Sequence, residues 1–151
     1  PLLVASPLII LGALATLFGA ILRVACFRAL GPLFTFELAI TPSHSLVTTG
    51  PYAWVRHPSY TGIYLTLLGA SAVGLAPGAW LRECALRLGA GLGAGAALAW
   101  LVLAFWVFKV AYALRSTNRR LRTEDTELRK AFGVVWDEYA ERTRWRLLPG
   151  V

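Results

Sequence analysis

Three stretches of the chain carry no charged residue and are long enough to cross a lipid bilayer: residues 2–22, 58–81 and 88–108. About 20 apolar residues, rising about 1.5 Å each, span a hydrocarbon core of about 30 Å. The second stretch is broken near its end by Ala76-Pro77-Gly78, and the third reads as helix to about Leu114. A connection of about ten residues joins these two, which predicts an antiparallel helical hairpin. Beyond Leu114 the pattern changes. Leu128, Phe132, Val135, Trp136 and Tyr139 recur at helical spacing, with Arg129, Lys130, Asp137, Glu138 and Glu141 between them. Such a helix is too charged to span, so it is expected to lie on the membrane or cap the bundle. Arg144-Trp145-Arg146 beyond it reads as an interfacial anchor. The expected fold is an all-α integral membrane bundle. It is a single domain over residues 1–151, with transmembrane segments at about 2–22, 58–81 and 88–114 and a C-terminal amphipathic helix.

Composition supports the membrane reading. Hydrophobic residues make up 57% of the 151, and charged ones 15%, against about 25% in a typical globular domain. A single core of this size cannot shelter so much apolar side chain from water. The same figures exclude disorder, a coiled coil and a disulfide scaffold. The net charge of +7 would suit nucleic acid, but ten of the 15 Lys and Arg lie between Lys109 and Arg146, interleaved with six acids. That pattern fits the cytosolic face of a membrane protein, and no nucleic-acid partner is expected. Residues 23–56 hold three Lys or Arg and the loop between the hairpin helices two, so residues 23–56 and the tail are expected together on the cytosolic side. Cys26 and Cys84 share no motif spacing, and no metal is expected. The chain has no methionine, so its natural start is expected upstream or removed; residues 2–22 read as a membrane helix, not a signal peptide. Gly89/Gly93 and Gly91/Gly95 are small-xxx-small pairs that favour close helix packing within the chain over dimerisation. The oligomeric state stays open.

Polar residues are costly in a membrane protein, so their clusters carry information. The first runs from His44-Ser45-Leu46-Val47-Thr48-Thr49-Gly50-Pro51-Tyr52 to Arg56-His57-Pro58-Ser59-Tyr60-Thr61-Gly62. Pro58 suits a first helical turn, which places Arg56 and His57 at a helix N-terminus, where free N–H groups favour an anion. A plainer reading fits equally: Arg56 snorkels to headgroups, His57 caps the helix and Tyr60 joins the aromatic belt. The second cluster is Arg119-Arg120-Leu121-Arg122-Thr123-Glu124-Asp125, with Leu128 and Phe132-Gly133 beyond. On one continuous helix Arg120 and Glu124 would form an ordinary i, i+4 pair. If the two clusters meet, they form a pocket of Arg, His, Tyr and carboxylates suited to a charged small molecule beside a lipid-like one.

Together these residues resemble the isoprenylcysteine carboxyl methyltransferase family. His44-x-Leu-Val-Thr-x-Gly-x-Tyr52 with Arg56-His57-Pro58-Ser59-Tyr60-x-Gly62 is similar to its core motif, and Arg120-x-x-x-Glu124-Asp125-x-x-Leu128 with Phe132-Gly133 and Tyr139 to its C-terminal motif. The resemblance covers residues 31–149. It implies a membrane enzyme that takes a methyl group from S-adenosylmethionine. The implied cofactor contacts are His44, Leu46, Val47, Gly50, Tyr52, His57, Tyr60, Glu124 and Leu128. Arg56 is the implied holder of the substrate carboxylate, with Glu124 or Asp125 completing the polar pocket. The implied acceptors are prenylated CaaX-type protein C-termini or small prenylcysteines, methylated on the cytosolic face, in the endoplasmic reticulum if the source is eukaryotic. Two departures stand out: Asp125 replaces a commoner Glu, and the N-terminal membrane helices are fewer than the family's usual number.

A C-terminal carboxylate of ordinary pKa, about 3.5, is ionised at neutral pH and needs no general base to attack a methyl group. The alternative acceptor is a phospholipid amine, which must first lose a proton and gains little from Arg56. A sterol reductase-like protein using NADPH fits less well, because Ile63 follows Gly62 where such reductases carry an acid. A non-enzymatic membrane scaffold would leave both polar clusters without a role.

Overall fold

A computed structural model of the chain describes residues 6–34, 45–86 and 94–150, with 84–86 described by backbone alone. His44 and the glycines at 89, 91 and 93 lie outside the described residues. Among those described, every regular element is helical: α1 (Pro7–Leu30), α2 (Pro58–Leu75), α3 (Ala94–Phe132) and α4 (Val134–Arg142), with short helical turns at Gly31–Leu33, Gly50–Ala53 and Leu81–Leu86.

The first helix does not stop at Leu22. It runs on past Arg23 because that charge has partners: the guanidinium donates to the Ser59 carbonyl (3.4 Å) and lies over the Phe27 ring. Gly31, at φ +51°, and Pro32 end it instead. The second stretch is helical for 18 residues and not the full 24, because Ala76-Pro77-Gly78 forms a turn with Gly78 at φ +86°. Leu81 therefore falls outside α2 and opens the next turn. Arg82 reaches back to the Leu75 carbonyl (3.3 Å), and Glu83 accepts from the Gly78 N–H (3.2 Å).

The third stretch continues unbroken into the charged region, giving a 39-residue helix about 58 Å long at 1.5 Å per residue. It outruns any bilayer, and its sequence divides accordingly: apolar to about Leu114, charged beyond. The single amphipathic helix expected around residues 128–139 is split. Gly133 at φ +52° interrupts it, leaving α4 as a separate nine-residue helix.

Among the described residues, two helices are long and apolar enough to cross a membrane, Pro7–Leu33 and Ala94–Phe132. Their most apolar windows are only 11% and 0% buried within the protein. The core helices of a water-soluble protein would be covered, so these surfaces call for lipid. At 18 residues α2 reaches about 27 Å, the short end of the spanning range.

The chain divides into two compact units, to each of which α1, α2 and α3 contribute. One holds α1 up to Phe18 and Tyr64–Arg115. Here α1 and α2 pack backbone to backbone: a Cβ on Gly69 would lie 2.6 Å from both the Gly12 carbonyl and the Thr16 hydroxyl. Tyr64 reaches the Leu114 carbonyl and Trp106 donates to Ser71 Oγ (3.1 Å), so α2 and α3 run antiparallel. By contrast, Gly95 faces open space, so it does not serve the close packing expected of it.

The second unit holds Gly19–Ile63 and the chain from Ser116 onward. Gly62 lets α2 approach α1, since a Cβ there would meet the Arg23 stem at 2.6 Å and the Gly19 carbonyl at 2.8 Å. Its buried residues include Cys26, Val55, Leu121, Trp136 and Tyr139, together with His57, Thr61, Thr117 and Thr143.

Candidate active site

The second unit brings the two polar clusters together. His57, at the start of α2, places Nε2 2.6 Å from Asp125 Oδ1 on α3, 68 residues away. Tyr60, one turn further, donates its hydroxyl to Glu124 Oε2 (2.7 Å). The spacing follows from two helical registers: His57 and Tyr60 are three apart on α2, while adjacent Glu124 and Asp125 on α3 diverge enough to meet one each. Glu124 also lies 4.0 Å from His57 Nδ1.

Asp125 is the electrostatic centre. Its side chain is 12% exposed, and besides His57 it faces Arg56 (3.7 Å) and Arg146 (3.3 Å). Burial alone would raise its pKa. The His57 hydrogen bond, His57 itself and the two guanidiniums outweigh that and hold the carboxyl below its usual range. An ionised carboxylate only accepts, so the shared proton belongs on His57 Nε2.

Arg56 is held on several sides. Its guanidinium faces Asp125, donates to the Arg144 carbonyl (3.4 Å) and stands 5.9 Å from the Trp136 ring centre. Yet Arg56 Nε and Asp125 Oδ2 are both buried without a hydrogen-bond partner among the described residues. Both residues line a groove of about 620 Å³, with Trp136, Arg129, Asp137 and Arg146 among its other walls. Its volume falls in the range of small-molecule sites, about 300–1,000 Å³.

Residues ahead of α2 are tied to the same unit. Tyr139 of α4 donates its hydroxyl to the Tyr52 carbonyl (2.8 Å), and the Tyr52 hydroxyl pairs with Cys26. Burial, the neighbouring thiol and Glu124 push the Tyr52 hydroxyl up from its ordinary pKa, and burial takes Tyr139 to about 12. Gly50, at φ +62°, supplies the turn that the Gly-Pro pair signalled. Leu46, Val47 and Leu128 are half-buried and make no polar contact with the cluster. Of the residues singled out from sequence, the structure gathers Arg56, His57, Tyr60, Glu124 and Asp125.

The two N–H groups just ahead of α2 are taken by the chain itself: Arg56 N–H bonds the Trp145 carbonyl and His57 N–H the Arg146 carbonyl, both at 2.9 Å. Thr61 adds a hydroxyl bond to the Leu147 carbonyl, 86 residues away. Neither Thr61 nor the main chain of residues 144–147 was legible as part of the site. The strap contributes carbonyls, which leave no mark on side-chain identity; the one clue was a buried hydroxyl in the first turn of an apolar helix.

An all-α chain with lipid-suited helix surfaces and a buried cluster of ionisable groups on α2 and α3 belongs to the class of integral membrane proteins with a polar functional site. Residues 9–85, just over half of the chain, match the model of the isoprenylcysteine carboxyl methyltransferase (ICMT) family, and the chain belongs to that family. Among its relatives is a protein-S-isoprenylcysteine O-methyltransferase of Xenopus laevis, 35% identical over 66 residues, which are 42% of this chain and 23% of that protein. The Homo sapiens protein of the same name is 39% identical over 64 residues, 41% of this chain and 22% of that one. A Delta(14)-sterol reductase of Septoria lycopersici is 28% identical over 106 residues, 70% of this chain and 21% of the reductase. The chain matches less than a quarter of the length of each of these relatives. No solved structure matches it.

Proposed function

We propose that this chain carries out methyl transfer from S-adenosylmethionine to the C-terminal carboxylate of a prenylated cysteine, forming a methyl ester at the cytosolic face of the membrane. The observation that carries this reading is the meeting of the two motif segments, His57 with Asp125 and Tyr60 with Glu124, beside a groove walled by Arg56. The family and the names of the relatives support the acceptor class.

The residues present fit the cofactor's chemistry. A sulfonium with an amino-acid head needs carboxylates for its positive charges, which Glu124 and Asp125 supply side by side on α3, while Arg56 Nε, without a hydrogen-bond partner among the described residues, is a donor left for the acceptor's carboxylate. Glu124, Asp125, His57 and Tyr60 would hold the cofactor, with His44, Leu46, Val47, Gly50, Tyr52 and Leu128 as the further contacts the family motif implies. When bound, S-adenosylmethionine supplies an electrophilic methyl group. Arg56 then holds the acceptor carboxylate through charge-assisted hydrogen bonds, leaving one oxygen free to attack. No proton has to be moved, because the carboxylate is already ionised at neutral pH. The protein's task is orientation and the exclusion of water, which in favourable cases contributes about 7–11 kcal/mol. The prenyl chain is drawn to lipid-facing helix surface at about 0.8 kcal/mol per buried CH₂.

One feature favours an amine acceptor instead: a histidine hydrogen-bonded to a carboxylate is a common arrangement for a general base. The test is transfer of labelled methyl from S-adenosylmethionine to N-acetyl-S-farnesylcysteine by the chain in liposomes, with phosphatidylethanolamine as the parallel acceptor. Base-labile label on the prenylcysteine is the expected result. Base-stable label on the phospholipid would replace the carboxylate with the amine, and no transfer with no cofactor binding would remove the methyltransferase reading.

A further inference from the structure

The strap that follows α4 has no regular structure, yet it makes four hydrogen bonds to the head of α2. The carbonyls of Trp145 and Arg146 accept the main-chain N–H groups of Arg56 and His57. The Arg144 carbonyl accepts from the Arg56 guanidinium, and the Leu147 carbonyl from the Thr61 hydroxyl. Four successive carbonyls thus serve three residues between Arg56 and Thr61. Arg56 and His57 precede Pro58, the first residue of α2, so their N–H groups have no place in its ladder and need acceptors from elsewhere. The main chain of the strap supplies them. Thr61, 6% exposed, ties the strap's register to α2: its hydroxyl lies 3.4 Å from the His57 carbonyl and closer to that of Leu147, which it meets only where the neighbouring carbonyls also bond. Arg146 closes the arrangement on the far side by its contact with Asp125, the residue His57 and Arg56 share.

We propose that Thr61 and the strap Arg144–Leu147 form a latch that positions Arg56 and His57 for the reaction, acting through main-chain carbonyls. This rests on the methyl-transfer reading for its catalytic consequence, though not for the latch itself. Because Arg56 receives the strap at both its N–H and its guanidinium, loosening the strap frees the direction of the group that holds the acceptor, while the pairings of Tyr60 and Glu124 on the neighbouring helix face stay intact.

The test compares Thr61→Val, which keeps the shape and removes the hydroxyl, with Thr61→Ser, which keeps the hydroxyl. A third variant, ending at Thr143, removes the strap. All are full membrane preparations in liposomes. Two quantities are read: amide hydrogen exchange in the peptide containing Arg56 and His57, and kcat and KM for N-acetyl-S-farnesylcysteine. Thr61→Val is expected to exchange about tenfold faster at these amides and to lose about tenfold in kcat; Thr61→Ser behaves as the parent. The strap deletion is expected to exceed Thr61→Val in both. Equal exchange in Thr61→Val and the parent overturns the latch, whether or not the truncated chain folds. Faster exchange with unchanged kcat overturns its positioning role. A parent that exchanges slowly but neither transfers a methyl group nor binds the cofactor would sink the methyl-transfer reading and leave the latch standing.

Discussion

The two units of this protein bury opposite things. In the unit containing Tyr64–Arg115, large apolar side chains face outward: Leu101 is 67% exposed, Phe105 63% and Phe108 65%. Its tight contact is between backbones at Gly12 and Gly69. In the unit containing Gly19–Ile63, the interior holds His57, Thr61, Thr117 and Thr143 alongside Trp136 and Tyr139. Different solvents explain the contrast. Lipid chains are as apolar as leucine, so helices in a bilayer gain nothing by hiding leucines and must attract each other through close packing. Groups near water gain from burying aromatic rings, and ionisable groups are tolerated inside only when paired.

The comparison can be broken at its strongest point by Asp125→Ala. It strands a buried histidine and an arginine, and is expected to destabilise the protein by about 3–5 kcal/mol. Thermal unfolding in detergent reads the loss, and a shift within error would mean that the pairings around Asp125 do not hold this unit. Leu101→Arg tests the other unit. In water, an exposed leucine replaced by arginine would be neutral, but at mid-membrane it is expected to cost about 2.5–3.5 kcal/mol and lower the fraction of chain that resists alkaline carbonate extraction. Wild-type extraction of that variant would argue that this surface does not meet lipid.

Gly69→Ala comes next. Its methyl group would press on the Gly12 carbonyl and the Thr16 hydroxyl, with an expected loss of about 1–3 kcal/mol, measured against Gly95→Ala, which meets open space. Equal effects at the two glycines would deny the backbone contact its role. A smaller effect is expected from acid. The Asp125 carboxyl in the folded chain lies below its unfolded value of about 3.9, so its contribution is complete above that pH and is lost as pH falls through the folded value. Unfolding temperatures followed downward from pH 6 should therefore drop more steeply in the parent than in Asp125→Asn; parallel curves would contradict the lowered carboxyl. Least of all should follow from Arg129→Ala. The Arg129–Asp137 pair is close (2.9 Å) but its side chains are 68% and 46% exposed, so about 0.5 kcal/mol or less is expected. A larger shift in unfolding temperature would show that the groove wall bears load.

By itself the sequence determined that the chain is helical and membrane-bound, and it singled out the polar residues that the structure gathers. Charge-free runs of about 20 residues have one stable conformation in lipid, with backbone hydrogen bonds satisfied locally, so length and composition suffice. His57, Tyr60, Glu124 and Asp125 stood out because such side chains are costly near a membrane without a purpose. Helix ends were less legible. Arg23 looked like a boundary, but an acceptor on α2 and a ring one turn further along α1 absorb its charge. Gly133 sits inside a run of correct periodicity, and only its backbone angle separates α3 from α4. Tertiary structure alone decided that Asp125 is shared by His57, Arg56 and Arg146, that the glycine contact is Gly12 with Gly69, and that residues 144–147 close the head of α2. These are contacts across tens of residues. Several are made by main-chain atoms common to every residue, so side-chain pattern, which is what a sequence displays, has no means of announcing them.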